Sequence, residues 1–489
     1  MRSGHARLSS TGFARSLRGS GAYALAALLQ RGIGFLLLPL YTRVLPPEEY
    51  GQLAVVLTIS AGVSTLLSFG LETAMFRTYI LLQDAPEQRR SFVNSVGLLA
   101  ILGPAALATS AVVAFGDLIA RWLGVPWLAI ALGIGTAAIT ISTTVLPFAL
   151  LRAQERLRAY LLLTGIQVIV NTTLTFLLVV VLGWGVTGWL LGSLVAIAAT
   201  FVAGLMMLGH RWTLTVERSH LVTTLAYGLP LLPHAAAHWG LSLSDRIVLG
   251  AFVPPADVGI YQLAYQFAIP VSTLGIAMTR GTAPLYAHAA RSVTERAELG
   301  RVIVHHVLTI ALLGMAMAIL GPLLILLLMP FEYAAAADFV PWLALGTVLL
   351  GIYFVPMNMI SILAGDTRHV WIATVAAAGV NITLNLLTVP QFGAAATAVN
   401  FAIGYAVLLA GVLFFMYRLP ERAALDWRRI GLGLGVVAAV AICGILITRD
   451  MQPWPGLAVG ASIAVAGPVL LLAAGVWRRP GSRRGEEAK

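Results

Sequence analysis

Lysine is almost missing from this chain: a single residue, Lys489, stands against thirty arginines. A phosphate-cradling P-loop needs an internal lysine, so an ATP site of that type is excluded. Cysteine is equally scarce. Cys443 is the only one and sits in an apolar run, which excludes a disulfide framework and a cysteine-ligated metal. Charged residues make up only 10% of the chain, whereas a soluble domain carries about 25%. Water is therefore not its main solvent. Long polar gaps are also lacking, so there is no room for an extramembrane catalytic domain. Glu48 and Glu49 are adjacent acids in a short turn, without the separation that acid–base glycosyl chemistry requires. These absences argue against an enzyme.

What is present is hydrophobic sequence, 59% of the residues. A membrane-spanning helix needs about 20 apolar residues and satisfies its own backbone hydrogen bonds in lipid. Apolar runs predict spans near 19–42, 50–75, 92–115, 127–151, 159–182 and 186–209. A second set lies near 221–251, 258–280, 302–328, 339–364, 370–389 and 393–417, with two more near 427–448 and 455–477. The first run follows Arg2, Arg7, Arg15 and Arg18 without a small-residue cleavage site, and so reads as a retained helix.

The arginines sit in every second gap. With the N-terminus inside, inner segments and tails hold 26 Lys and Arg, and outer gaps hold only Arg43, Arg121 and Arg449. Basic residues concentrate on the cytoplasmic side of membrane proteins, and a wrong helix count would scramble this bias. The pattern predicts about fourteen transmembrane helices with both termini cytoplasmic. The net charge of +11 is scattered over short loops, which excludes a nucleic-acid face.

The chain repeats. Pro46-Pro47-Glu48-Glu49-Tyr50-Gly51 returns as Pro254-Pro255-Ala256-Asp257-Val258-Gly259, 208 residues on, and each copy is followed by Gln-Leu-Ala. Gln154-Glu155-Arg156 matches Asp366-Thr367-Arg368, and Asn171 precedes Gly185 much as Asn381 precedes Gly393. Two six-helix halves of the same orientation follow, related by an axis along the membrane normal, with a central cleft between them. The expected layout is a tail at 1–18, an N-lobe at 19–209 (helices 1–6), a C-lobe at 221–417 (helices 7–12), helices 13 and 14 at 427–477, and a tail at 478–489.

Several intramembrane polar residues are candidates for function. Arg31 sits halfway along the first span, where an arginine costs about 2.5–3.5 kcal/mol or more, so it should meet a watery cavity or a partner. Asp245 and Arg246 fall in the seventh span. As neighbours they point about 100° apart on a helix and need not pair with each other; a structural pair between lobes is the competing reading. His234 and His238, one turn apart, have zinc-like spacing but no third ligand. They read as cavity lining, proton sensing or packing. Pro230 and Pro233 should kink or break that span. Glu72 and Arg77 near the end of the second span, and Arg280 at the end of the eighth, are placed either to ring an inward mouth or to anchor helix ends. Asn171, Asn358, Asn381, Asn385 and Asn400 are mid-span amides suited to gluing helices.

The run Pro39-Leu40-Tyr41-Thr42-Arg43-Val44-Leu45-Pro46-Pro47-Glu48-Glu49-Tyr50-Gly51, followed by Phe69-Gly70-Leu71-Glu72, resembles the start of the polysaccharide-transporter flippases. These belong to the multidrug/oligosaccharidyl-lipid/polysaccharide exporter superfamily. The stretch from Asp245-Arg246 to Gly259-Ile260-Tyr261 resembles the matching part of their second half. The resemblance implies an all-α polytopic fold with two parallel six-helix lobes around a central cavity and two peripheral C-terminal helices. It implies alternating-access transfer of undecaprenyl-diphosphate-linked oligosaccharide to the outer leaflet of a bacterial inner membrane, for O-antigen, capsule or exopolysaccharide assembly. It assigns the diphosphate to cavity cations, here Arg31, Arg246 and Arg280. The implied partners are the lipid-linked oligosaccharide, membrane lipid and the polysaccharide polymerase machinery. No cofactor is implied, and coupling to a proton or sodium ion stays open. A lipid II flippase and a multidrug cation antiporter of the same superfamily are the alternatives. The first span lacks the acid that multidrug members often carry there.

Overall fold

A computed structural model describes residues 32–476, apart from 211, 214, 290–292, 420–422 and 424. Every regular element among the described residues is helical. Helices α1 (Leu38–Val44), α2 (Pro47–Leu67), α3 (Leu71–Leu81) and α4 (Pro86–Leu123) come first. They are followed by α5 (Trp127–Ala153), α6 (Leu157–Val181) and α7 (Gly185–Leu208). The second half comprises α8 (Arg218–Gly228), α9 (Leu232–Phe252), α10 (Pro255–Ala289) and α11 (Val293–Leu328). Next come α12 (Val340–Ala364), α13 (Val370–Tyr417), α14 (Trp427–Thr448) and α15 (Pro453–Ala473).

Ten of these helices are long and apolar enough to cross a membrane. α13 counts once among them, yet it turns at Gly393 (φ 61°, ψ −146°) and so holds the eleventh and twelfth expected spans. That backbone region is essentially closed to residues with a Cβ. The expected first span lies mostly before residue 32. The seventh and eighth, α8–α9 and α10, are less apolar because they carry proline, histidine, aspartate and arginine.

The chain divides into two compact units, one drawn from Met1–Val44 and Val56–Ala236, the other from Leu45–Val55 and Ala237–Lys489. In the first unit a π-helical turn, Thr144–Phe148, interrupts α5 around Pro147. In the second, α12 ends in a π-helical turn, Met359–Ala364, just after Pro356. A proline removes one i→i−4 bond, and the wider turn takes up the mismatch. The two turns fall at corresponding places in the repeat. Beyond α7, the connecting segment is tied to α4: His210 Nε2 donates to Asn94 Oδ1 at 2.9 Å, and the Glu217 backbone N–H donates to Ser95 Oγ at 2.9 Å. Burial, then the charge of Arg90, lowers the His210 pKa below its ordinary value.

The second unit explains why the proline-glycine motif recurs. Residues 45–55 belong to it, and their two-turn stretch of α2 lies on the start of α10. A Cβ built on Gly51 would stand 1.8 Å from the Pro255 carbonyl oxygen, and one on Gly259 would stand 2.0 Å from that of Pro47. The repeated motif is thus a reciprocal backbone crossing. Buried Tyr333 closes it by donating its hydroxyl to the Leu45 carbonyl at 2.8 Å. Tyr333→Phe leaves that carbonyl unpaired and is expected to cost about 1–3 kcal/mol, read as a lowered thermal midpoint of the detergent-purified protein.

A second polar seam joins the two arms of α13. Asn381 Nδ2 donates to the Asn400 carbonyl at 3.1 Å, Asn385 Nδ2 to Asn381 Oδ1 at 3.2 Å, and Asn400 Nδ2 to Asn385 Oδ1 at 2.9 Å. These three mid-span amides are helix glue. α14 and α15 pack on α11 through small residues: Gly433 and Gly444 of α14 lie on Leu308 and Ile319, and Gly467 of α15 lies on Met315.

Candidate functional site

In the first unit two helix interruptions meet. Phe69 (φ 46°) and Gly70 (φ 64°) are both left-handed and separate α2 from α3. Opposite them, α8 stops at Gly228, the chain makes a short 3₁₀ turn over Leu229–Leu231, and α9 starts at Leu232. Pro230 and Pro233 account for this break, as their residue type requires. The interruptions interlock through backbone, because a Cβ on Gly228 would stand 1.9 Å from the Phe69 carbonyl oxygen. Broken helices at a cavity are a device of transporters, since they free backbone groups where a polar ligand can use them.

A cavity of about 300 Å³ lies beside this junction. Ser64, Thr65, Ser68, Thr73 and Thr144 give it a hydroxyl-rich wall, and Glu72 is the one carboxylate among its lining residues. Thr65, Ser68 and Thr144 donate their hydroxyl protons to nearby backbone carbonyls at 2.8 Å. Their oxygens keep acceptor capacity for a ligand. The remaining wall is apolar, from Ile141, Val145 and the start of α9.

Glu72 has a partner. Arg152 Nη2 donates to Glu72 Oε1 at 2.9 Å, with both side chains about two-fifths exposed (40% and 41%). The Arg152 guanidinium also lies over Phe76, 4.7 Å from its centroid. Further along the same face of α3, Tyr79 accepts from Gln154 Nε2 at 3.1 Å and carries Arg89 on its ring at 4.9 Å. Arg77 is exposed and lies over the Tyr227 ring at 5.0 Å. The arginine-bearing end of this unit is therefore built of guanidiniums seated on aromatic faces, a favourable electrostatic arrangement.

The other expected site residues are placed differently. Arg31 lies outside the described residues. Arg280 is exposed on α10 in the second unit, and His234 and His238 are exposed on α9. Asp245 and Arg246, which as sequence neighbours need not pair, do pair here. Arg246 Nη1 meets Asp245 Oδ1 at 2.5 Å, because the long arginine side chain folds back along its own helix and donates also to the Ser242 carbonyl at 3.0 Å. Arg246 Nε donates to Gln262 Oε1 at 3.1 Å. The guanidinium stacks on Tyr265 at 3.9 Å and on Tyr261 at 5.1 Å, and the Tyr261 hydroxyl donates to Asp245 Oδ2. Arg246 is 0% exposed and Asp245 1%. Arg246, expected among the diphosphate-receiving cations, is here buried and paired with Asp245.

Sequence reasoning missed Arg152, counted only as a loop charge, and the Phe69-Gly70 break. The signal for the first was an arginine one π turn beyond Pro147. For the second it was a glycine two residues before an acid, at the end of an apolar run.

The family model described as "Polysaccharide biosynthesis protein" matches residues 16–287, more than half of the chain. The chain belongs to that family. A second model, MatE, matches residues 230–387. Among solved structures, the chain is similar to a lipid II flippase MurJ in an inward closed conformation. That match has a TM-score of 0.68 at 13% identity, covering 93% of this chain and 99% of that one. It is also similar to an inward-facing multidrug resistance MATE family transporter, with a TM-score of 0.62 at 15% identity, covering 80% and 97%. A MATE protein in a straight conformation gives a TM-score of 0.53 at 17% identity, covering 83% and 95%. These similarities show a shared fold. No curated protein matches the chain by sequence.

Proposed function

We propose that this family member is a flippase that carries a polyprenyl-diphosphate-linked oligosaccharide from the cytoplasmic to the outer leaflet of a bacterial inner membrane, for polysaccharide assembly. The observation that carries this reading is the hydroxyl-walled cavity at the junction of two broken helices, in a chain of the polysaccharide biosynthesis family. Hydroxyl oxygens and a carboxylate suit a polyol, which needs many donors and acceptors, better than a flat aromatic cation. A cavity of about 300 Å³ is at the lower end of small-molecule sites, enough for part of a sugar headgroup, with the prenyl tail left in lipid.

Alternating access supplies the path. Arginine stays charged at any working pH and grips phosphate oxygens bidentately, and Arg31, placed by sequence at mid-span, is the proposed receiver inside the membrane. The inside-negative potential favours outward movement of two negative charges by about 4–5 kcal/mol at 100 mV. Polymerisation outside removes the product.

The test is export of surface polysaccharide in cells whose resident flippase is deleted. The intact chain is expected to restore it. Arg31→Ala is expected to abolish it at unchanged protein level, and Arg31→Lys to restore it in part. Rescue of peptidoglycan synthesis in lipid II flippase-depleted cells, with no surface polysaccharide, would replace this reading by the lipid II one. Resistance to cationic drugs without either rescue would replace it by the antiporter.

A further inference from the structure

We propose that Arg152 is a phosphate-receiving residue of the first unit, and that Glu72 is the internal anion holding its place. This rests on the flippase reading for its ligand class, a diphosphate on a lipid carrier. Glu72 belongs to the cavity wall and its Oε1 is gripped by Arg152 Nη2. Arg152 commits little of its donor set to that contact. A guanidinium has five N–H donors in a planar fork, and Arg152 Nε is buried with no hydrogen-bond partner. An arginine held by one oxygen, with a second donor unused, matches the two-oxygen bite of a phosphate better than its present partner does.

The Glu72–Arg152 and Asp245–Arg246 pairs differ in the property that matters for exchange. Asp245–Arg246 is at most 1% exposed, with every oxygen of the acid engaged. Glu72–Arg152 is 41% and 40% exposed. A half-exposed pair is weak because water competes with it, so an incoming anion of higher charge displaces the carboxylate readily. The Phe76 ring under the guanidinium fixes its plane while the partner changes. Arg152 also leads directly into the turn at Gln154, whose side chain holds Tyr79, so the arginine is carried by a braced corner. When the phosphate takes Arg152, the released Glu72 faces the hydroxyl wall and is free to accept from a sugar hydroxyl.

The experiment is equilibrium binding to the full chain purified in detergent, with geranylgeranyl diphosphate and inorganic pyrophosphate as probes. Arg152→Gln is expected to weaken binding at least tenfold, and Arg152→Lys by less. Glu72→Gln is expected to tighten binding several-fold, because the competing charge is gone. A structural pair moves both variants the same way, so the opposite signs carry the test, with thermal midpoints measured alongside. Loss with the lipid probe alone identifies a membrane-borne diphosphate, and loss with both probes identifies a site that also takes the free anion; either supports the proposal. Binding by Arg152→Gln equal to the native chain, or equal weakening by Arg152→Gln and Glu72→Gln, overturns it. If the chain exports polysaccharide while Arg152→Gln binds normally, only this inference fails. If binding depends on Arg152 but export is absent, the flippase reading fails and the site stands.

Discussion

Arg246→Ala is expected to destabilise the protein by about 3–5 kcal/mol, because it strands a buried carboxylate. Asp245 has no route to water at 1% exposure, and the Tyr261 hydroxyl alone does not neutralise it. Asp245→Leu is expected to cost a similar amount by stranding the guanidinium. The combined Asp245→Leu, Arg246→Met variant removes both charges and is expected to recover most of the loss, a strongly non-additive cycle. Thermal midpoints of the four detergent-purified proteins measure it. The same four proteins decide the role of Arg246. If it only holds α9 to α10, the double variant folds and still exports polysaccharide. If it grips substrate in another conformation, the double variant folds and does not export. A native-like midpoint for Arg246→Ala alone would rule out the buried pair.

Gly51→Ala and Gly259→Ala are each expected to cost about 3 kcal/mol or more, at the upper edge of overpacking effects. The added methyl would meet a carbonyl oxygen at 1.8 Å and 2.0 Å respectively, and both obstacles are backbone. No side-chain rotation relieves them. The two changes open the same crossing, so together they should cost less than their separate effects combined. Gly281→Ala is the control, since nothing lies within 4 Å of a Cβ there. Comparable yield and melting for Gly51→Ala and Gly281→Ala would mean that the crossing is loose.

Much of the fold was legible because lipid restricts what a chain can do. Long apolar runs separated by arginines on alternate sides left few helix arrangements open, and the boundary expected between the spans near 370–389 and 393–417 coincides with the turn of α13 at Gly393. The repeat was visible as Pro-Pro-x-x-x-Gly, but its purpose was not. Nothing in one copy says that it packs against the other. The site was less legible. Pro230 and Pro233 announced one break, since proline carries its reason in its ring. Phe69-Gly70 did not announce the other, because a left-handed phenylalanine is a product of tertiary packing. Asp245 and Arg246 were found as charges but their pairing stayed open, because Cβ directions on a helix say little about where an arginine's far end folds. Arg152 looked like one topology charge among many, and only the proximity of Glu72 and Phe76 distinguishes it.

Residues 45–55 are made early but find their seat late. Their partners, Pro255, Gly259 and Tyr333, lie roughly 200 to 290 positions downstream. During synthesis, helix α2 therefore leaves the ribosome with its first two turns lacking a mate, and it keeps that exposed edge until the following half has been inserted. Contacts so distant along the chain slow assembly and expose intermediates to misassociation. Biogenesis of this protein should thus be sensitive to the supply of membrane-insertion chaperones, and a chain released after α7 should be an unfinished piece and a target for proteolysis.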